Sequence, residues 1–398
     1  MLLAQIGLVI GIVAGVLLYW QFLGYPALMA LLARRGSPTQ AVPKQLPNVS
    51  VIVPTHNDAS TIEDRIVNIY SQDYPKALLE VIVVESGSTD GTHQRAEGTK
   101  ADHPDLIVLH QEEREGKASA INLGTSEARG DIVVVTDANA LFVPTTLRAL
   151  VTPFADAAVG GAGGRFVVRN ADTKEASGTA LFWEIERLLR SGEENLDSSV
   201  AMSGEVSAWR RGLVEASPSA LAEDLDLAVR IRKQGYRVAY APDAVVLENA
   251  PTRSQDMVTQ WRRTSLGAIQ CTFRHWRYLV RRPSWYSYFI YPSHKVLQIL
   301  TPFLLIAGAI GLGLAIWAGG PLPVGIGLGV LLALSAISLL PILQGLRGSL
   351  PRSSGSLHRI PQWTRTFLSF QWSVLLAWKD YLTKRTDVRW SRVHASPP

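Results

Sequence analysis

The sequence predicts an α/β domain with a mainly parallel sheet, held between N- and C-terminal transmembrane helices. Three observations carry this. Between residues 48 and about 250, short β-branched runs alternate with helix-patterned stretches, as strands joined by helical crossovers do. Residues 2–33 contain no charged side chain, a run longer than the roughly 20 residues that cross a bilayer. Two more uncharged runs, 296–318 and 322–346, follow the domain, separated by Gly319, Gly320 and Pro321.

The wider composition agrees. The chain has 398 residues, 47% of them hydrophobic and only 18% charged, against about a quarter charged in soluble proteins. The first apolar run has no Lys or Arg before it, and Arg34 and Arg35 follow at once. It therefore reads as an uncleaved anchor of residues 1–34 with its arginine side in the cytoplasm. A Pro- and Gln-containing linker, 35–47, joins it to a domain of residues 48–252. Residues 253–292 are basic and aromatic, which suits interfacial helices. The spanning pair occupies 293–346. The basic segment 347–398 includes an apolar stretch, 367–378, short enough to lie in the interface, re-enter or cross with a tilt. This order places a multi-pass protein in the cell membrane with its domain on the cytoplasmic face. The net charge of +5 sits mostly beside the apolar runs, where anionic lipids account for it, so nucleic acid is not a predicted partner. A single Cys271 forms no internal disulfide and is expected to pack. The spans hold no charge and no broken-helix repeat, which excludes a transporter.

Within the domain, residues 49–53 form the first strand, with Thr55 and Asn57 in the loop at its end. A helix follows with Ile62, Ile66 and Ile69 on one face. Residues 81–84 form the second strand, closed by the polar turn ESGSTDGT from Glu85. After a third strand, 106–109, Arg114 and Lys117 stand near a helix start, where anions are favoured. The stretch 131–139, DIVVVTDAN, is the centre of the reading. Residues 132–136 are a short buried strand that stops on Asp137, with Asn139 two positions on. Ligands sit outside the carboxyl ends of such strands, and an Asp-x-Asn pair offers oxygen ligands to a divalent cation. Residues 159–168 read as a strand whose glycines permit close backbone approach. A helix covers 182–190. A small-residue corner at Gly204 and paired cations at Arg210 and Arg211 follow. Residues 221–234 form a helix with Glu223 and Asp224 in its first turn.

Taken in order, these pieces resemble the membrane-bound family 2 glycosyltransferases, which use a nucleotide-sugar-binding α/β domain of the GT-A type. Cellulose, hyaluronan and poly-N-acetylglucosamine synthases show the same arrangement. VIVPTHND resembles the family's nucleotide-holding opening, which implicates Thr55 and Asn57. ESGSTDGT is similar to its Asp-Asp-Gly-Ser-x-Asp loop, with Glu85 at the nucleobase and Ser86 in place of the second acid. REGKASAINLG resembles the Gly-Lys-x-x-Ala-Leu-Asn segment, so Lys117 reaches the nucleotide. DAN resembles the Asp-x-Asp metal motif, which implies a divalent Mg2+ or Mn2+ on Asp137 and Asn139. LAEDLDLAVRIRKQGYRV resembles the Glu-Asp motif, with Asp224 as general base and Glu223 beside it. QWRRT resembles Gln-x-x-Arg-Trp, with Gln260, Arg262 and Arg263 toward the diphosphate and Thr264 in place of Trp. Gly204 and Arg210 fall on the acceptor side. AWKDYLTKRTDVRWSR is similar to the family's C-terminal pattern.

The resemblance implies an inverting hexosyltransferase that moves a sugar from a nucleoside diphosphate sugar to a lipid-linked or glycan acceptor. A polysaccharide export complex is the implied assembly partner. Ser86, Asn139 and Thr264 would suit an alternative, a catalytically impaired nucleotide-binding scaffold of such a complex. Release of nucleoside diphosphate by the native chain and not by Asp224→Asn separates the two.

Overall fold

The computed structural model describes residues 2–36, 45–171, 176–251, 253–319, 322–347 and 360–385. Most of the linker and residues 386–398, which carry the end of the C-terminal pattern, lie outside the described residues.

One sheet of eight strands organises the domain. The strands are β1 (Val49–Thr55), β2 (Leu79–Ser86), β3 (Ile107–Gln111), β4 (Ile132–Thr136), β5 (Leu141–Phe142), β6 (Val159–Val168), β7 (Val206–Arg210) and β8 (Arg237–Glu248). Their order is β3-β2-β1-β4-β7-β6-β8-β5. The first four are parallel. β7 then runs antiparallel to both β4 and β6, and β6 pairs parallel with β8. The sheet is thus parallel on one half and mixed on the other, because β7 is a reversed strand where the sequence reads only as a corner. Two successive reversals restore direction, so β8 points the same way as β4. The ends of β4 and β8 and the start of β7 therefore meet at one edge.

Alternation along the strands builds two cores. Val51 and Val53 face α3 (Ile62–Tyr70), α4 (Thr92–Gly98) and α6 (Thr146–Val151), where Ile62, Ile66 and Ile69 are fully buried. Ile52, Val133 and Val135 face α5 (Lys117–Glu127) and α8 (Glu223–Lys233), against Ile121, Leu227 and Ile231. Each such side chain contributes about 1.5–3 kcal/mol on burial. The glycines of β6 serve protein contact: a Cβ at Gly163 would stand 2.8 Å from the Met202 Cα, and one at Gly164 2.5 Å from the Ala244 carbonyl.

The remaining helices are α1 (Leu2–Tyr19), α2 (Tyr25–Ala33), α7 (Ser177–Leu196), α9 (Ser254–Arg281), α10 (Leu297–Gly319), α11 (Leu322–Gly345) and α12 (Ile360–Leu382). Among the described residues, three stretches are long and apolar enough to cross a membrane: Leu2–Ala33, Tyr286–Ala318 and Gly327–Gly345. The short stretch at 367–378 is part of the longer α12, which packs along α9. There Phe273 stacks on Tyr381, with ring centroids 5.3 Å apart. Not all the α9 arginines face outward. Arg274 pairs with Asp226 of α8 at 2.9 Å, and His275 joins the same carboxylate, which fastens α9 to the domain.

The domain meets the anchor through α7 and α2. A Cβ on Gly192 would lie 2.3 Å from the Met29 carbonyl oxygen, so only glycine fits. Gly192→Leu is expected to destabilise the protein by about 1–3 kcal/mol through overpacking. Gly313→Leu, at a site with nothing within 4 Å, is expected to leave the thermal midpoint in detergent unchanged. Equal midpoints for the two variants would show that this contact does not hold the domain.

Candidate active site

The meeting edge carries acids. Asp137 follows β4, Glu248 ends β8, and Glu205 precedes β7, whose Val206 pairs with Thr136. The first turn of α8 adds Glu223 and Asp224. Opposite them, Gly116 turns the chain at a φ of 97°, a conformation glycine adopts without strain. Lys117 then opens α5. Its Nζ lies 2.7 Å from Asp137 Oδ1 and 2.6 Å from Glu223 Oε1, and it donates to the Gly204 carbonyl at 3.1 Å. All these groups line a cleft of about 280 Å3 that continues toward the apolar helices.

The charges are unbalanced. Burial works against the Lys117 ammonium, but Asp137 and Glu223 outweigh it and raise its pKa. Burial likewise opposes charge on Glu223, yet Lys117 and Arg263 hold its pKa below the ordinary value. Asp224 shifts the other way: burial and the Glu223 charge raise it. Neighbouring carboxylates whose environments push them apart suit different roles. Burial and the Asp137 charge push Glu205 up to about 7. Burial, then Glu205 and Asp137, hold Glu248 well above the usual carboxylate range. Asn139 donates from its amide nitrogen to Glu248 at 2.8 Å. Beneath the edge, buried Arg65 donates to Thr136 Oγ1 at 2.7 Å.

The structure brings Lys117, Asp137, Asn139, Gly204, Glu223, Asp224, Gln260 and Arg263 into this one cleft. Thr55 and Asn57 do not line this cleft; Thr55 lines a small neighbouring pocket that shares Lys117 with it, and both residues build the loop after β1. Thr55 donates to Asp58 at 2.9 Å. Asn57 has a φ of 56°, receives the Thr89 amide at 2.9 Å and donates its own amide to Ser88 at 2.9 Å. Three assignments are corrected. Arg262 turns from the cleft into a two-pronged pair with Asp380 of α12, at 2.6 Å for one prong. Arg210 lies at the far end of β7, where it donates to the carbonyls of Val159, Phe154 and Asp156. Glu85 is fully buried and does not face the cleft; it bonds His110 at 2.6 Å and accepts the Ser88 amide.

Sequence reasoning missed Glu205, Glu248 and Arg190, which also line the cleft. Glu248 carries the same signal as Asp137, an acid at a strand end. A second donor set among the described residues, Glu85, His93 and His110, has ligand atoms within 4.8 Å of one another.

Comparison with known proteins places these features. Residues 47–267 match the family model described as glycosyltransferase like family 2. A probable glycosyltransferase of Bacillus subtilis, YdaM, is 30% identical over 52% of this chain and 52% of its own length. An N-acetylglucosaminyltransferase of Azorhizobium caulinodans is 27% identical over 73% of this chain and 76% of its own. A beta-monoglucosyldiacylglycerol synthase of Synechocystis is 26% identical over 72% and 63%. The chain thus spans about half to three quarters of these relatives. A mannosyltransferase of Pyrobaculum calidifontis, solved with GDP-Man and Mn2+, superposes with a TM-score of 0.69 at 29% identity, over 96% of this chain and 99% of that one.

Lys117→Met leaves Asp137 and Glu223 facing each other without a cation. Breaking a buried pair in this way costs about 3–5 kcal/mol. Adding Asp137→Asn and Glu223→Gln is expected to restore most of that stability, read by unfolding in detergent. A single variant as stable as the native chain would show that the clamp does not hold the fold.

Proposed function

This chain belongs to the family 2-like glycosyltransferases and is an enzyme of that class, and from this premise we propose that its cleft transfers a sugar from a nucleoside diphosphate sugar to a hydroxyl of a lipid-linked or glycan acceptor. The observation that carries the reading is the separation of Asp224 from the Lys117 clamp within one cleft. Among the acids in the first turn of α8, Asp224 alone has a raised pKa and, among the described residues, no ion pair, whereas Glu223 pairs with Lys117.

Lys117 and Arg263 neutralise the departing diphosphate, and Gln260 lines the same wall. Thr55 and Asn57 shape the loop that receives the nucleotide. Asp224 takes the proton from the acceptor hydroxyl. The acceptor oxygen forms its bond to the anomeric carbon as the carbon–phosphate-oxygen bond breaks, and the nucleoside diphosphate leaves with the electron pair. A single displacement inverts the anomeric centre.

The donor set fits a divalent cation. Asp137 and Asn139 offer hard oxygen ligands. With Glu205, Glu223, Asp224 and Glu248 they make an edge whose acids outnumber Lys117 and Arg263. Asp137 and Asn139 would hold Mg2+ or Mn2+, which supplies charge neutralisation to the leaving diphosphate. We place the domain on the cytoplasmic face of a multi-pass membrane protein, with lipids around its apolar helices and a polysaccharide export complex as a candidate partner.

A nucleotide-sugar panel on membranes tests the donor. Asp224→Asn is expected to lower transfer by about 10²–10⁴-fold while retaining nucleoside diphosphate binding. Asp137→Ala is expected to abolish both transfer and the response to added Mn2+. Retained turnover in either variant would overturn the assignment.

The pH profile gives a further check. Asp224 acts as a base only when ionised, so activity falls as pH drops through its pKa. Burial and Glu223 raise that pKa, so the acid limb of kcat/KM is expected above the ordinary aspartate range near about 3.9. Glu223→Gln removes the adjacent charge, so its residual activity is expected to show the limb at lower pH. An unmoved limb would detach Asp224 from the profile.

A further inference from the structure

The membrane side of the cleft holds a second charged set that the transfer step does not use. His294 places Nδ1 2.6 Å from Glu193 Oε1 and Nε2 2.9 Å from Glu186 Oε1. Two carboxylates facing both ring nitrogens are satisfied only by the imidazolium, which has two N–H donors. Arg190 Nε is 3.2 Å from Glu186 Oε2, and Lys295 Nζ is 3.6 Å from Glu186 Oε1. Tyr25 donates to Glu193 at 2.7 Å. Exposure runs from 0% at Glu193 to 9% at Lys295.

Three cations, Arg190, His294 and Lys295, thus share two carboxylates, Glu186 and Glu193. Asp224 and Glu205 also act on the Arg190 charge. Lys295 has the longest of these pairings, and it lines the cleft together with Arg190 and Asp224. Arg190 is near enough to Asp224 for its charge to oppose the rise in the Asp224 pKa. His294 and Lys295 lie in a π-helical turn, Pro292–Val296, a departure from the α-helix that recurs at functional sites. Apolar side chains line the same cleft: Phe182, Trp261, Ile299, Phe370 and Val374. Ile299 belongs to the candidate span Tyr286–Ala318. The cleft therefore joins an acidic sheet edge to basic and apolar side chains beside that candidate span.

We propose that the basic end seats a phosphate of the acceptor, and that the acceptor is a membrane amphiphile carrying that phosphate beside the hydroxyl presented to Asp224. A neutral glycan would leave the Lys295 ammonium with only its 3.6 Å contact to Glu186 and would gain little from the aliphatic part of the wall. A phosphate-bearing lipid answers both: its anion meets Lys295 and Arg190, and its chains follow the apolar helices into the bilayer. The proposal rests on the reading of Asp224 as base, but phosphate binding can be measured without turnover.

The test uses the full chain in neutral detergent. Quenching of the cleft tryptophans Trp183 and Trp261 is titrated with dioctanoylphosphatidylglycerol, dioctanoylglycerol and inorganic phosphate. The phosphatidylglycerol is expected to bind about tenfold more tightly than the diacylglycerol. Lys295→Met is expected to remove that preference and Lys295→Arg to keep it. Gln298→Glu, which adds a negative charge to the cleft wall one turn from Lys295, provides an independent loss should Lys295→Met fail to fold. Equal binding of the two lipids would overturn the proposal. So would a preference that survives in a folded Lys295→Met or Gln298→Glu protein. Inorganic phosphate binding as tightly as the phospholipid would assign a free-phosphate site and remove the lipid from the proposal. Lipid preference without sugar transfer would sink the Asp224 reading alone; transfer without phosphate preference would sink this one alone.

Discussion

One ammonium group ties the molecule together. Lys117 Nζ is held between Asp137 and Glu223, and those two acids come from the end of β4 and the start of α8. Three segments distant in sequence converge on a point that is mostly closed to water. A buried cation is tolerable only with such partners, and two clustered carboxylates are tolerable only with such a cation. The topology provides the meeting place. Parallel strands bring Asp137 to the edge, and the reversed strand β7 returns the chain so that Glu205 and Glu248 reach it too. The acids in excess of the lysine are charges that a divalent cation can neutralise, so the constraint that closes the fold also suits the proposed donor site.

The helices after the sheet complete the cleft. α9 supplies Gln260 and Arg263, and its Arg274 and His275 bind Asp226, two residues beyond Asp224 on α8. The first turn of α8, with Asp224, and the Arg263 side of α9 are thereby fixed relative to each other. α12 braces the outer side of α9 through Asp380 and Arg262. Gly192 on α7 permits backbone contact with Met29, which ties the domain to the apolar N-terminal helices.

Much of this was legible in the chain. Ile132 to Thr136 reads as a strand because five consecutive apolar or β-branched residues have no other compact use, and Asp137 reads as a site because an acid there has no core to join. Glu248 escaped the same logic because Pro242 and Asp243 interrupt β8 and its register shifts near Gly164 and Arg165. Glu205 was hidden because its acid precedes a strand rather than ending one. The errors have geometric causes. Arg262 leaves the cleft because Asp380 of α12 pairs with it, a contact the local sequence does not show, while Arg263 faces the cleft. Arg210 was misplaced because the reversal of β7 puts that arginine at the opposite edge. Glu85 faces neighbours rather than ligand because His110 on the adjacent strand closes over it, a tertiary contact with no local signature.

The central claim is that the Asp137 edge, clamped by Lys117, is where cation and diphosphate bind. Its most direct measurement is the anomalous scattering of Mn2+ in crystals of the full chain grown with a nucleoside diphosphate. A manganese peak is expected against Asp137 and Asn139, with the Lys117 ammonium turned to the diphosphate. A peak held instead by Glu85, His93 and His110, with Lys117 still paired to Asp137 and Glu223, would contradict it.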